Sequence, residues 1–177
     1  MSERILNVGC GKTYIEGAFN IDINPAVRSD MVFDIGQRIP FYMKNESSLP
    51  NDYFDKIIAH DVLEHIPNLV TAMTNCRDLL KPGGIMDIIV PYDLSLGAWS
   101  DPTHVRAFNE RSWIYYAEWA WYLGWKDWAF VCTKCELQCE GDVYPETPID
   151  ILSRTPRAIS SMKVILQKVK YVAPQAV

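Results

Sequence analysis

Short apolar runs, each closed by glycine, proline or an acid, recur through the first half of the chain. Arg4 to Val8, Ala18 to Ile23 and Met31-Val32-Phe33 are too short for helices and read as buried strands. Asn24-Pro25 breaks the second. Gln37 to Asp52, with Pro40, Asn45, Pro50 and two serines, predicts a loop leading to Tyr53. Lys56 to Ala59 predicts a central strand. Asp61 follows with the chemistry of a helix N-cap, and Glu64 stands three residues on as in a capping box. From Leu69 to Leu80 the period changes, placing Leu69, Val70, Met73, Cys76, Leu79 and Leu80 on one helical side. Lys81-Pro82-Gly83-Gly84 stops that helix, and Ile85 to Val90 is a further buried strand. Strands alternating with a helix or long crossovers predict a parallel sheet covered on both faces.

The second half reads differently. Tyr92 to Phe108 is irregular and directly follows a strand, where open α/β sheets place active-site loops. Asn109 or Ser112 can cap a helix running to about Leu123, with Trp113, Tyr116, Ala117, Ala120 and Trp121 on one face and Gly124 at its end. Trp128 to Glu136 predicts a strand, Pro145 to Ser160 a proline-interrupted connection with a short helix, and Met162 to Val169 a final strand. No internal repeat or linker interrupts the 177 residues, which predicts a single domain, with a cofactor half over about 1–92 and a substrate or lid half over about 93–177.

Composition narrows the partners. Hydrophobic residues make up 49% and charged residues 22%, as in an ordinary globular protein. No stretch approaches the roughly 18 apolar residues of a membrane span, and MSERILNV lacks a signal peptide pattern, so a cytoplasmic protein without a membrane partner is expected. The net charge of −5 disfavours a large nucleic-acid interface. Five cysteines without a secretion signal predict free thiols. Oligomeric state is not legible.

The candidate chemistry begins at Ile5 to Pro25. A strand opening into Gly9-Cys10-Gly11 lets a ligand approach bare backbone, because glycine has no Cβ and tolerates positive φ. Asp22, at the tip of the next strand, is placed to accept both hydroxyls of a ribose. The glycines do not follow G-x-G-x-x-G, which points away from a dinucleotide. The stretches Asn7-Val8-Gly9-Cys10-Gly11 and Asn20-Ile21-Asp22-Ile23 resemble the first two cofactor motifs of the class I S-adenosylmethionine-dependent methyltransferases. Phe33-Asp34-Ile35, Phe54 to Ile66 and Leu79-Leu80-Lys81-Pro82-Gly83-Gly84 extend the resemblance in order, over Ile5 to about Tyr92. The resemblance implies an α/β, Rossmann-like, doubly wound fold: a mostly parallel seven-stranded sheet with one antiparallel edge strand and helices on both faces. It implies S-adenosyl-L-methionine as cofactor, held by Asn7, Gly9, Cys10, Gly11, Asp22, Ile23, Asp34, Ile35, His60 and Asp61. Within that set Asp34 would take the adenine amino group, Ile23 and Ile35 the ring faces, and His60 and Asp61 the sulfonium or methionine end. Asn7 stands where many members carry an acid, and about ten residues between the glycines and the second strand leave no room for a full first helix.

On the acceptor side, Ser100 to Phe108 resembles a D-P-x-H-x-R-x-F element of small members of the superfamily. The resemblance implies His104 as general base, Asp101 as its orienting acid and Arg106 as holder of an anionic group. The alternative is a loop staple in which His104 and Arg106 bond local carbonyls. No metal is expected: His60 and Glu64 would share a helical face while His65 points about 100° away. Cys132, Cys135 and Cys139 lie in a strand pattern without a partner motif, and read as structural or incidental thiols. The expected function is methyl transfer to an O or N atom of a small-molecule, sugar or protein acceptor. Other chemistry on the same cofactor, such as aminopropyl transfer or cofactor cleavage, and a degenerate nucleoside-binding scaffold are the alternatives.

Overall fold

The apolar runs become strands of one sheet. The computed structural model describes residues 2–40, 49–139 and 147–172. Residues 41–48 of the expected Gln37–Asp52 loop and 145–146 of the Pro145–Ser160 connection lie outside the described residues. The strands are β1 (Ile5–Val8), β2 (Phe19–Asp22), β3 (Met31–Val32), β4 (Phe54–His60), β5 (Leu80–Pro91), β6 (Trp128–Cys139) and β7 (Ile159–Lys170), in the order β3-β2-β1-β4-β5-β7-β6. β1 to β5 pair in parallel. β7 runs antiparallel to both β5 and β6, inserted between β5 and the outermost strand. This is the Rossmann-like, doubly wound α/β sheet, antiparallel only at that edge. Its strand order reverses between β1 and β4, so a crevice opens at their carboxyl ends.

Register explains why the two faces differ. Leu6, Ile57, Met86 and Leu166 are cross-strand neighbours on one face, and each is fully buried. Their sequence neighbours Asn7, Ile58, Asp87 and Ile165 point to the other face, because side chains alternate along a strand. There Asp87 gathers Lys56 at 2.8 Å, His60 at 3.2 Å and Lys163 at 3.7 Å, ringed by partly exposed isoleucines. The first crossover holds no helix, as its length predicted. Instead, buried Asn7 donates to the Thr13 carbonyl and to Asn20 Oδ1 at 2.8 and 3.0 Å, while Asn20 bonds both sides of the Ile15 peptide.

Three expectations are corrected. Asp61 does not cap a helix: Leu63–His65 is a single 3-10 turn with no side-chain cap. Pro67 holds Ile66 extended, at φ −87° and ψ 110°, so the chain cannot continue as helix from there. The helix α1 (Leu69–Leu79) starts afresh, with Asn68 accepting from the Thr71 amide, and Val70 lies on its exposed side at 44%. Second, Lys81 to Gly84 does not separate the helix from a strand, but forms the irregular start of β5. Third, the aromatic helix breaks into two 3-10 segments, Glu110–Tyr116 and Ala120–Leu123. Six of the ten residues from Trp113 to Tyr122 are aromatic, and such side chains lose rotamer freedom in an α-helix. The Asn109–Ser112 capping box and the left-handed Gly124 terminus are present, and Trp113, Tyr116, Ala117 and Ala120 are buried as expected. Trp121 is 50% exposed. Two short helices complete the second half, α2 (Gly97–Ser100) and α3 (Ile149–Leu152).

Candidate active site

The glycine turn after β1 uses its two glycines differently. Gly9, at φ 62°, lies against Val62: a Cβ there would come within 2.3 Å of the valine methyl. Gly11, at φ 48°, faces open space, with only the Gly9 carbonyl oxygen near, at 3.8 Å. The Gly11 position is therefore where a ligand can meet the backbone. Cys10 between them is buried, its thiol directed at the Arg28 carbonyl, and burial raises that thiol above its ordinary pKa, with Asp22 adding to the effect.

Asp22 ends β2, and its two oxygens accept from the Gly11 and Asn24 amides, each at 2.8 Å. These bonds fix the carboxylate while leaving each oxygen a lone pair for a further donor. Asp34 is held similarly, its Oδ1 accepting from the Gly36 amide at 2.8 Å. Both acids line a cavity of about 320 Å³ with Gly11, Ile23, Ile35 and His65, a volume at the lower end of small-ligand sites. Ile23 is 66% exposed and Ile35 fully packed. Gly9, Gly11 and Asp61 are shared with a neighbouring cavity of about 390 Å³ lined also by Asn7, Cys10 and His60. Asp61 is held at φ 52°, a conformation that non-glycine residues rarely adopt. A larger cavity, about 600 Å³ beside Arg4, Phe19 and Phe54, sits at the opposite ends of the strands, away from the crevice where such sheets bind ligands.

The Tyr92–Phe108 loop follows β5 and is bonded to the turn after β4. Its base is pinned by the Asp93 amide donating to the Phe108 carbonyl at 2.8 Å, and its far side by the Val105 amide donating to the Glu64 carbonyl at 2.9 Å. That second bond sets His104 beside Glu64. His104 Nδ1 donates to the Ala98 carbonyl at 2.9 Å, and Nε2 lies 4.0 Å from both Glu64 Oε1 and Asp101 Oδ2. Asp101 accepts both the amide and the hydroxyl of Thr103, whose oxygen in turn meets His65 Nδ1 at 2.9 Å. These bonds hold the Asp101 carboxyl below its ordinary pKa. Arg106 donates to the Ile66 and Pro67 carbonyls, both at 2.8 Å, tying the loop to the entry of α1. Both His104 and Arg106 thus make the carbonyl contacts of the loop staple, and His104 keeps Nε2 without a hydrogen bond among the described residues.

Glu64 was expected at a helix start, and the helical wheel paired it with His60. His60 instead ends β4 turned to Asp87, and Glu64 is buried beside His104, with Oε2 unpartnered among the described residues. Burial pushes its carboxyl up to about 7, the charges of Asp61 and Asp101 reinforcing the shift and His104 opposing it. The signal that could have found the cluster was positional: Glu64-His65 follows β4 and His104 follows β5, adjacent strands whose carboxyl ends share one crevice. Cys132, Cys135 and Cys139 are exposed on the edge strand β6.

Residues 6–88 match the family model described as "Methyltransferase domain". A ubiquinone biosynthesis O-methyltransferase of Cereibacter sphaeroides is 31% identical over 96 residues, covering 47% of this chain and 39% of the relative. That of Histophilus somni is 26% identical over 102 residues, covering 48% and 43%. The chain spans about two fifths of the length of these curated relatives. Among solved structures, a SAM-dependent methyltransferase from Archaeoglobus fulgidus superposes with a TM-score of 0.62 at 21% identity, over 93% of this chain and 86% of the other. The [4+2]-cyclase SpnF superposes at 0.61 and 14% identity, over 94% and 75%. The N-methyltransferase NodS from Bradyrhizobium japonicum, solved with S-adenosyl-L-homocysteine, superposes at 0.52 and 17%, over 93% and 77%.

Proposed function

We propose that this chain, whose residues 6–88 match a methyltransferase domain and whose fold is shared with S-adenosylmethionine-dependent methyltransferases, transfers a methyl group from S-adenosylmethionine to an oxygen of a small-molecule acceptor. One observation carries the reading: Asp22, Asp34 and the open Gly11 position converge on one cavity at the strand-order reversal. The residues fit the cofactor. Asp22 has lone pairs left for the ribose hydroxyls and Asp34 one free oxygen for the adenine amino group, between Ile23 and Ile35. The neighbouring cavity at Asn7, His60 and Asp61 would take the methionine end. The cofactor supplies a methyl group on a sulfonium. The chain's part is to hold the acceptor in line and accommodate its proton. His104 suits that part, because its Nδ1–H is fixed on Ala98 and Nε2 keeps a lone pair. Asp101 acts on it from 4.0 Å, and Arg106 positions the loop. Oxygen is preferred because the curated relatives are described as O-methyltransferases. The five free thiols, three of them exposed, fit a reducing compartment such as the cytoplasm.

One feature favours a second reading, a nucleoside-binding scaffold: Tyr115, Trp119, Trp121 and Tyr122 form an exposed aromatic cluster with ring centroids 5.3 to 6.0 Å apart. Formation of S-adenosylhomocysteine with simple phenols and catechols as acceptors separates the two. Turnover that falls by about 100-fold in His104→Ala supports methyl transfer. Cofactor binding with no product on any acceptor moves the assignment to the scaffold.

A further inference from the structure

Glu64, His65 and His104 converge from the loops after β4 and β5, with a donor atom of each within 4.8 Å of the others. Each has a donor free. Glu64 is 1% exposed, and its Oε2 has no hydrogen-bond partner among the described residues. A buried carboxylate oxygen left alone is costly, and a cation would relieve it. The Ala98 carbonyl can only accept, so His104 Nδ1 carries the hydrogen and Nε2 the lone pair. Thr103 gives its hydroxyl hydrogen to Asp101 at 2.6 Å and so accepts from His65 Nδ1, which leaves the His65 Nε2 lone pair free as well. Fixing one ring N–H on a carbonyl or a carboxylate-linked hydroxyl is how proteins orient imidazoles as ligands. The two rings meet edge to face, centroids 4.6 Å apart.

We infer that Glu64, His65 and His104 form a site for a borderline divalent transition-metal ion, of the zinc and cobalt class, on the acceptor side of the cofactor cavity. Two imidazoles and one carboxylate are the donor set of open zinc sites, which keep a position for an oxygen ligand. Donors bonded at about 2.1 Å in a tetrahedron stand about 3.4 Å apart, so the cluster has to close by roughly 1 Å. Exposed Asp101, with Oδ2 4.0 Å from His104 Nε2, adds negative charge beside the site. His65 also lines the cavity of Asp22 and Asp34, so the ion's free position borders the proposed cofactor.

The use of the ion rests on the methyl-transfer reading; its binding does not. With the ion in place His104 is a ligand and no longer takes the proton itself. An acceptor hydroxyl bound to the ion loses its proton to water, its oxygen forms the bond to the methyl carbon, and the carbon–sulfur bond breaks to leave S-adenosylhomocysteine.

The test is titration of the full chain with Co²⁺ in the absence of cofactor, followed by visible and near-ultraviolet absorption. One equivalent with visible d–d bands and no sulfur charge-transfer band is expected, at an affinity reduced by roughly 10-fold or more in both Glu64→Gln and His65→Ala. Circular dichroism of each variant shows that it is folded. Binding that both folded variants leave unchanged, sulfur charge-transfer bands from the exposed cysteines, or no bound ion overturns the site. Cofactor calorimetry on the same samples reads the methyl-transfer assignment separately.

Discussion

At the scale of single residues, the two glycines of the first turn differ: Gly9 is packed against Val62 and Gly11 is open, so on the proposed reading Gly9 serves folding and Gly11 binding. Gly9→Ala would place a methyl 2.3 Å from Val62 at a left-handed φ, and is expected to cost roughly 2 kcal/mol or more of stability in urea unfolding. Gly11→Ala meets open space, so only backbone strain of about 1 kcal/mol is expected, while cofactor affinity falls by at least about 10-fold. Equal stability losses with unaltered cofactor affinity would remove Gly11 from the site. The placement of Gly9, Gly11, Asp22 and Asp34 beside one cavity is legible in the sequence because each sits at a strand end or a turn. Glu64 was not. Its partner His104 lies forty residues on, and long-range bonds, from the Val105 amide to the Glu64 carbonyl, between Thr103 and His65, and from Arg106 to the Ile66 and Pro67 carbonyls, bring the two segments together. The fate of His60 was hidden likewise, since the register that sets it beside Asp87 belongs to the β4–β5 pairing.

At the scale of elements, the Tyr92–Phe108 loop is held to the body of the fold by few bonds, and Arg106 makes two of them. Arg106→Ala is expected to lower stability by about 2 kcal/mol and to lower turnover, while leaving S-adenosylhomocysteine affinity unchanged in calorimetry, because the loop positions His104 and not the cofactor. A large loss of cofactor affinity would contradict that division. Asn68→Ala should cost about 1 kcal/mol as loss of the α1 cap, read in thermal unfolding. The apolar period of α1 made its body readable in advance. Its start is not legible, because Asp61 and Glu64 imitate a cap whereas Pro67 forbids the helix they would open. The aromatic segment also carried a helical period, yet side-chain crowding resolves it into two 3-10 pieces, and Trp121 turns outward.

At the scale of the molecule, one sheet face is a closed apolar core and the other carries a charged cluster around Asp87. Burial alone would raise the Asp87 carboxyl, but hydrogen bonds from Lys56 and His60 and the nearby Lys163 hold it below its ordinary value of 3.8. Its stabilisation is thus complete above about pH 4 and lost as pH falls through the lowered value. Wild type should lose more stability than Asp87→Asn between about pH 5 and about pH 2.5 in urea unfolding, and parallel losses would contradict the pairing. The parallel α/β class is readable from strands alternating with crossovers, while the strand order and the uneven cover of the faces depend on long-range pairing, on the missing first helix and on the Asn7–Asn20 pair that replaces it. The central claim is that this sheet holds S-adenosylmethionine at the ends of β1 and β2. Calorimetry of the full chain with S-adenosylmethionine and S-adenosylhomocysteine, with Asp22→Ala alongside, tests it most directly. Binding of both ligands is expected, weakened about 100-fold in the variant by loss of two hydroxyl-to-carboxylate bonds of roughly 1.5 kcal/mol each. A folded wild-type protein that binds neither ligand would contradict it.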